Sequence, residues 1–349
     1  MSEPLVVVDA DVLGRQRTGD ETYVAGLLGA VAGASGLRLA AVTRRPDLVP
    51  DGIEPVTLPA RSQVLRMAVR LPRLLRRLRP ALAHFQHSLP LACPCPAVLT
   101  IHDLSFERDP DLMGLRDRLI FRAVVPRSAR LAARLIAVSE LTKRDLIELY
   151  SIDEQKIVVI PNGVDAAFTP EGPRSDGEPY ALFVGALQPR KDAGTAIEAV
   201  SLIGNGAPRL VVAGRDKGGL AEAQRSAERH GVAARVEFRG HVPQGELARL
   251  YRGAACLVFP SRYEGFGLPV LEAMASGTPV VATTAGALPE VAGDAAILVD
   301  ERNPVALAGG IERAIADRER LVAAGLERAR QFTWAETARR TLDVYGELL

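Results

Sequence analysis

The sequence predicts an α/β fold of two doubly wound, mainly parallel sheets, one in each of two domains. Three observations lead there. Short apolar runs alternate with longer amphipathic stretches from end to end, which is the pattern of consecutive βαβ units. One stretch rich in Pro, Gly and charge, AAFTPEGPRSDGEP at 166–179, interrupts that alternation. The 349 residues are long for one domain and comfortable for two. Their apolar content of 48% is mostly Ala, Val and Leu, with aromatics at only 5%, an aliphatic core suited to buried parallel strands.

The elements follow in order. LVVVD at 5–9, LRLAAVT at 37–43, AVLTIHD at 97–103, LIAVS at 135–139 and IVVIPNG at 157–163 read as buried strands of the first domain. YALFVG at 180–185, RLVVAG at 209–214, RVEFRG at 235–240, CLVFPS at 256–261 and PVVAT at 279–283 read as strands of the second. Helical patterns such as AGTAIEAVSLI, LAEAQRSAERHG and ELARLYRGA lie between them. The predicted organisation is an N-terminal domain over 1–165, a linker over 166–179, a second domain over 180–330 and a C-terminal helical segment over 331–349. No short-period repeat is present.

Net charge is +1, but residues 61–144 carry 16 Lys or Arg against 6 Asp or Glu. Such a patch attracts phosphates, nucleic acid or an anionic membrane. Its densest parts, 61–80 and 116–135, interleave Arg with Leu, Val, Ile and Ala at helical spacing. They suit either a surface for anionic membrane or a lipid phosphate, or helices packed on the sheet with Arg in solvent. Three cysteines make no disulfide framework, and Cys93 and Cys95 are too close for an easy bridge. MSEPLVVVDAD lacks the basic and apolar regions of a secretory signal, and no run approaches the roughly 18–20 apolar residues of a membrane span. A reduced cytoplasmic protein is expected, with peripheral attachment to the inner face of the plasma membrane left open.

The chemistry concentrates in SRYEGFGLPVLEAMASGTPVVAT at 261–283. A strand ends at Pro260, a loop follows, and a helix begins near Leu268–Pro269, where Pro suits the first turn. Gly265 and Gly267 let the backbone approach a ligand closely. The helix N-terminus offers N–H groups and partial positive charge to a phosphate or sugar oxygen. Glu264 and Glu272 stand on either side of this turn, placed to grip two hydroxyl-bearing parts of one ligand. In VGALQPRKD at 184–192, Arg190 and Lys191 follow a strand's carboxyl end, where doubly wound sheets bind ligands, and suit a diphosphate. His102 and Asp103 end another strand.

Other signals are weaker. Asp9-Ala10-Asp11 is a DxD string at the end of the first strand. His84, His87, Cys93 and Cys95 hint at zinc, but their spacing fits no closed site. There is no G-x-G-x-x-G after the first strand and no G-x-x-x-x-G-K-[ST], which argues against a nicotinamide dehydrogenase and an NTPase.

EGFGLPVLEAMASGTPVV resembles the E-x7-E signature of the retaining glycosyltransferases of family 4 (glycosyl transferases group 1), which have the GT-B fold. RTGDETYV at 17–24 resembles that family's TG-x-x-x-Y loop. LTIHDLSF at 99–106, VSELTKRDL at 138–146, IPNGVD at 160–165, VGALQPRKD and FRGHVPQGELARLY at 238–251 match further stations in order. In style the chain is most similar to bacterial mannosyltransferases of polysaccharide assembly.

The resemblance implies two Rossmann-like domains facing across a cleft that holds the active site, an N-terminal acceptor domain and a C-terminal nucleotide-sugar domain, with the C-terminal helix returning to the first. It implies transfer of a hexose, mannose favoured, from a nucleotide diphosphate sugar (GDP-mannose favoured, a UDP-sugar next) to a saccharide or lipid-linked acceptor. No metal or other cofactor and no nucleic acid are expected. Arg190 and Lys191 would stabilise the leaving diphosphate, and His102 would orient the reacting sugar. Glu264 would meet the donor sugar hydroxyls and Glu272 the ribose, with Gly19, Gly265, Phe266, Gly267 and Leu268 also against the donor. Neither glutamate is assigned as a covalent nucleophile, since a front-face mechanism is the family's usual proposal. Two departures stand out. Ala186 replaces an Arg found after the strand glycine in some relatives. Asp20 and Glu21 replace small and basic residues, which makes them, with Asp103, possible sugar or acceptor contacts. The alternatives are a non-catalytic nucleotide-sugar-binding subunit and a GT-B relative that epimerises a nucleotide sugar.

Overall fold

The computed structural model describes residues 3–15, 18–60, 62–108 and 114–349. It divides into one unit of Met1–Gly163 with Trp334–Leu349 and a second of Val164–Thr333. Arg17 of the TG-x-x-x-Y stretch and Arg61 of the first basic segment lie outside the described residues.

The first unit carries β1 (Leu5–Asp9), β2 (Arg38–Thr43), β3 (Glu54–Thr57), β4 (Leu82–Gln86), β5 (Ala97–Ile101), β6 (Arg134–Ala137) and β7 (Ile157–Val159). Their order is β3-β2-β1-β4-β5-β6-β7, and every pair is parallel. The second carries β8 (Tyr180–Val184), β9 (Arg209–Ala213), β10 (Val236–Gly240), β11 (Cys256–Phe259), β12 (Val280–Thr283) and β13 (Ile297–Val299). Their order is β10-β9-β8-β11-β12-β13, again parallel. Strand order reverses between β1 and β4 and between β8 and β11. In such sheets the crevice beyond the carboxyl ends at the reversal is where ligands bind.

Both faces of the first sheet are covered. Leu71, Leu75, Phe85, Leu99 and Leu135 lie in one apolar cluster, and Val6, Val8, Leu27, Leu82 and Ile136 in another. Ala338, Val344 and Tyr345 of the helix Trp334–Gly346 complete the second cluster. That helix lies close over the first one, Thr18–Val31: a Cβ on Gly26 would stand 2.2 Å from the Trp334 ring.

The stretch expected as a linker packs on the second unit. Arg252 donates from Nε to Pro173 O at 2.7 Å and from NH1 to Thr169 O at 3.2 Å, and Ser175 N–H bonds Arg249 O at 3.1 Å. Its Pro and Gly residues exclude regular structure, yet an arginine collects its carbonyls. The unit begins earlier than expected because Val164 forms a parallel bridge with Thr333.

Three strands escape a search for aliphatic runs: β3, β4 and β13. Central β4 reads LAHFQ, and its His84 is fully buried. Burial is tolerated because both ring nitrogens are partnered, Nδ1 with Tyr345 Oη at 2.6 Å and Nε2 with Thr100 Oγ1 at 2.8 Å. Thr100 Oγ1 is also 2.9 Å from Tyr23 Oη. Burial lowers the His84 pKa to about 3 and pushes the Tyr345 phenol well up, so the chain of bonds is neutral. Tyr345→Phe keeps the ring and strands His84 Nδ1 in the core. It is expected to cost about 1–3 kcal/mol, a fall in melting temperature of about 2–4 °C per kcal/mol for a unit of this size, measured by calorimetry on the full chain. An unchanged melting temperature would show that the network contributes nothing net.

Candidate active site

In the second unit, β8 and β11 are neighbours at the reversal, and each delivers charge at its carboxyl end. After β8, Pro189–Lys191 make a single 3-10 turn. After β11, the chain runs through Ser261 to Glu264. Lys191 Nζ donates to Glu264 Oε1 at 2.6 Å, and Arg190 NH1 to Glu264 Oε2 at 3.2 Å and Tyr263 O at 2.7 Å. Glu264 is 6% exposed and Lys191 9%. Burial by itself would raise the Glu264 carboxyl, but the charges of Lys191 and Arg190 outweigh it and hold the pKa down. The two loops are tied again by Arg262, whose N–H bonds Arg190 O at 2.9 Å and whose Nε bonds Asp192 Oδ2 at 3.0 Å.

Two glycines make this approach possible. Gly286, with φ of 62°, lies so close to the loop that a Cβ would stand 2.3 Å from Glu264 O. The next residue's N–H, from Ala287, bonds that same oxygen at 2.9 Å. Gly267, with φ of 110°, turns the chain into the helix Leu268–Ala275, whose first-turn N–H groups have no partner within the helix. Gly265 is buried, and Phe266 packs edge-on against Phe332 at 5.9 Å. Four residues into the helix, Glu272 Oε2 accepts from Tyr251 Oη at 2.9 Å. Burial raises its pKa to about 7. Asp165 pushes the same way, against the Tyr251 hydrogen bond and Lys191.

In the first unit, Gly19 is exposed in the first turn of its helix, and a Cβ there would meet nothing within 4 Å. No internal packing therefore demands a glycine. Asp20 Oδ1 lies 3.9 Å from His87 Nε2. Glu21 Oε1 instead accepts the N–H of Gly14 at 2.7 Å and so holds the turn after β1. His102 follows β5, edge-on to Tyr23 at 4.7 Å and tilted against His87 at 5.1 Å between ring centroids. Its Nε2 is buried with no hydrogen-bond partner among the described residues. Burial lowers its pKa to about 4, so the imidazole is neutral at neutral pH. His87 lowers it further, and Asp20 and Asp103 oppose the shift. Asp103 Oδ1 accepts both the N–H of Ser105 at 3.0 Å and its hydroxyl at 2.7 Å, the posture of a cap on the following helical turn.

The weaker signals resolve as well. Asp9 is ion-paired with the fully buried Arg66, and Asp11 with Arg15 and Arg44. The DxD string thus serves the packing of the 61–80 segment. His84 has both nitrogens engaged, which removes it from the His84–His87–Cys93–Cys95 set.

The family described as Glycosyltransferase Family 4 matches residues 18–168, and Glycosyl transferases group 1 matches 164–331. Over 266 residues, the chain is 30% identical to O-antigen chain mannosyltransferase B of Escherichia coli, covering 71% of this chain and 70% of that protein. The chain belongs to the family 4 glycosyltransferases. It is also 34% identical over 285 residues to a D-inositol 3-phosphate glycosyltransferase of Salinispora tropica, covering 72% of this chain but 59% of that longer relative. Among solved structures it is similar to sucrose-phosphate synthase from Thermosynechococcus elongatus, with a TM-score of 0.80, 23% identity and 99% of each chain covered. That likeness shows the GT-B fold.

Two residues of this glycosyltransferase went unread in the sequence, and a third, His87, was read only as part of a zinc set with His84, Cys93 and Cys95. Tyr251 lies in the quoted FRGHVPQGELARLY stretch, but its partnership with Glu272 joins separate elements. Gly286 had a signal, a glycine three residues after a strand, in TTAGALPE. His87 follows a strand that was itself missed.

Glu272 generates a pH prediction. The family resemblance has Glu272 accept from two ribose hydroxyls, which a carboxylate does better than a carboxylic acid, and burial raises its pKa to about 7. Affinity for a nucleoside diphosphate is therefore expected to be full above about pH 7 and to fall as the pH drops through that value. Calorimetric titration between pH 5.5 and 8.5 reads this, and Glu272→Gln is expected to flatten the profile. An identical slope in the variant would assign the titration to another group.

Proposed function

We propose that this chain is a retaining, metal-independent hexosyltransferase that takes mannose by preference from GDP-mannose, with a UDP-sugar as the next choice, and delivers it to a saccharide or lipid-linked acceptor. The observation that carries the reading is the buried Glu264–Lys191–Arg190 cluster at the β8–β11 reversal, with Glu272 on the following helix. Two cations and one carboxylate leave an excess positive charge where a diphosphate leaves. That charge stabilises the developing negative charge without a bound cation. The ion pairs of Asp9 and Asp11 support the same conclusion. The preference for mannose rests on the similarity to the O-antigen mannosyltransferase.

Each group takes a role that follows from its chemistry. Glu272 accepts from the ribose, remote from the breaking bond. Glu264 faces the donor sugar with a charge that opposes its growing positive character. Lys191 and Arg190 meet the departing phosphate, whose oxygen assists removal of the acceptor proton on the same face. Phe266, Gly267 and Leu268 lay backbone against the donor, and Gly19 and His102 serve the reacting sugar and the acceptor from the first unit, where Asp20 bears on acceptor choice. Asp103 and Glu21 already hold neighbouring backbone, which leaves them supporting parts.

The reading includes partial attachment to anionic membrane. Arg73, Arg76 and Arg77 are exposed on one basic helix, which Val64 and Leu65 precede at 73% and 46% exposure. Leu119 and Ile120 are exposed beside Arg122 on the other. No described helix is long and apolar enough to cross a membrane.

Glycosyl transfer with a panel of nucleotide sugars tests the function, and insensitivity to EDTA tests the metal independence. Glu272→Ala is expected to raise KM more than it lowers kcat. Lys191→Ala is expected to lower kcat by on the order of 10²-fold or more, with its melting curve recorded because Glu264 loses a buried counter-charge. Glu264→Gln should fall mainly in kcat and still bind nucleoside diphosphate. Loss of nucleotide binding in Glu264→Gln, with donor affinity intact in Glu272→Ala, would reverse the placement of the ligand along this loop. For the membrane, flotation with anionic vesicles is expected to exceed that with neutral ones and to weaken with salt. Equal, salt-insensitive recovery would remove that part of the reading.

A further inference from the structure

We infer that Asp20, His87 and His102 form a binding site for a divalent transition cation, Zn²⁺ foremost, which the proposed transfer does not need although it shares His102 and Asp20 with it. One ligating atom from each side chain lies within 4.8 Å of the other two. In an occupied tetrahedral site the separations are roughly 3.4 Å for metal–ligand bonds near 2.0–2.1 Å, so side-chain rotations of about 1 Å close the set. Two imidazoles and one carboxylate are the donor chemistry of Zn²⁺, Co²⁺ and Ni²⁺ rather than of Mg²⁺ or Ca²⁺, which take oxygen. Three protein ligands leave a position for water or a substrate oxygen.

The three groups come from three elements held independently. Asp20 sits in the first turn of the helix Thr18–Val31, where the helix field favours a carboxylate. His102 follows β5, its ring set by the Tyr23 edge at 4.7 Å. Its Nε2 is buried and without a hydrogen-bond partner among the described residues, which is costly for a polar atom. A metal bond would satisfy it. His87 follows β4 and has φ of 54°, a left-handed backbone uncommon for residues other than glycine. Its own N–H bonds Thr100 O at 2.9 Å, which ties this backbone to β5. The left-handed turn sets the imidazole against His102, with Nε2 3.9 Å from Asp20 Oδ1. The rival soft-ligand site is Cys93 and Cys95, whose Sγ atoms are 3.8 Å apart. Occupied, the proposed site holds His102 Nε2 away from any sugar oxygen, so a cation bound there acts as a brake on that residue.

The test is direct binding to the full chain after chelator treatment and removal of the chelator. Zn²⁺ is titrated against a chromophoric chelator, and Co²⁺ is followed by its ligand-field absorption. One cation per chain is expected. Asp20→Asn and His87→Asn should each weaken binding at least about 10-fold, the lower end of the loss seen even for outer-shell changes at metal sites. Asn is chosen at 87 because it tolerates the left-handed backbone, and circular dichroism checks that each variant is folded. Cys93→Ser with Cys95→Ser should leave the affinity unchanged. No stoichiometric binding, binding indifferent to both Asn variants, or binding abolished by the serine pair would each overturn the assignment.

Discussion

The second unit is organised around one constraint: the Glu264 carboxylate is buried and must stay charged. A buried carboxylate without a partner costs several kcal/mol and protonates instead. Lys191 at 2.6 Å and Arg190 at 3.2 Å prevent that, but only if three separate segments meet. The turn after β8 must bring the basic pair. The loop after β11 must stay extended enough to aim Glu264 at it. The chain after β12 must pass so close to Glu264 that residue 286 has no side chain. Balancing one charge thus fixes the carboxyl ends of three strands, and one positive charge is left over.

The first unit solves the analogous problem without charge. Its central polar chain, from Tyr23 through Thr100 and His84 to Tyr345, is neutral and fully buried. Because the low-dielectric interior penalises a half-satisfied network more than an apolar core, this chain specifies which helix covers the sheet. Only a residue with a hydroxyl at 345 completes it, and the C-terminal helix supplies that residue. His102 touches the same network through the Tyr23 ring and is neutral for the same reason, burial. The charges this unit does bury are paired, Arg66 with Asp9 and Asp11, and Asp145 with Arg108.

Strands whose apolar runs reflect burial on both faces, such as VVV at 6–8 and LVF at 257–259, were legible in the sequence because parallel sheets leave no polar alternation to confuse them. LAHFQ was not, since its His84 is buried by virtue of Tyr345, 261 positions away. EPVT at 54–57 is a sheet edge with exposed residues, so it carries no hydrophobic signature. The loop after β11 was readable as a string because Glu264, Gly267 and Glu272 are local to one strand–turn–helix. What the string could not tell is which carbonyls and cations they meet: Asp103 bonds Ser105, two residues away, while Asp20 meets His87 from a strand the sequence hid.

Glu264 and Glu272 share a residue type, a loop and a helix, and eight positions separate them, yet their environments drive their pKa values apart. Glu264 is buried among two cations and is held below the ordinary range. Glu272 is half-buried beside a phenol and within reach of Asp165, and burial raises it to about 7. Environments that split a pair of like groups are how one fold assigns them different tasks. The lowered one keeps its charge throughout the neutral range, which suits a group that opposes positive character in a sugar. The raised one sits at the point of exchange between charged and neutral in that range. The difference between the two carboxylates therefore rests on the basic pair after β8, close to one of them and only distantly felt by the other.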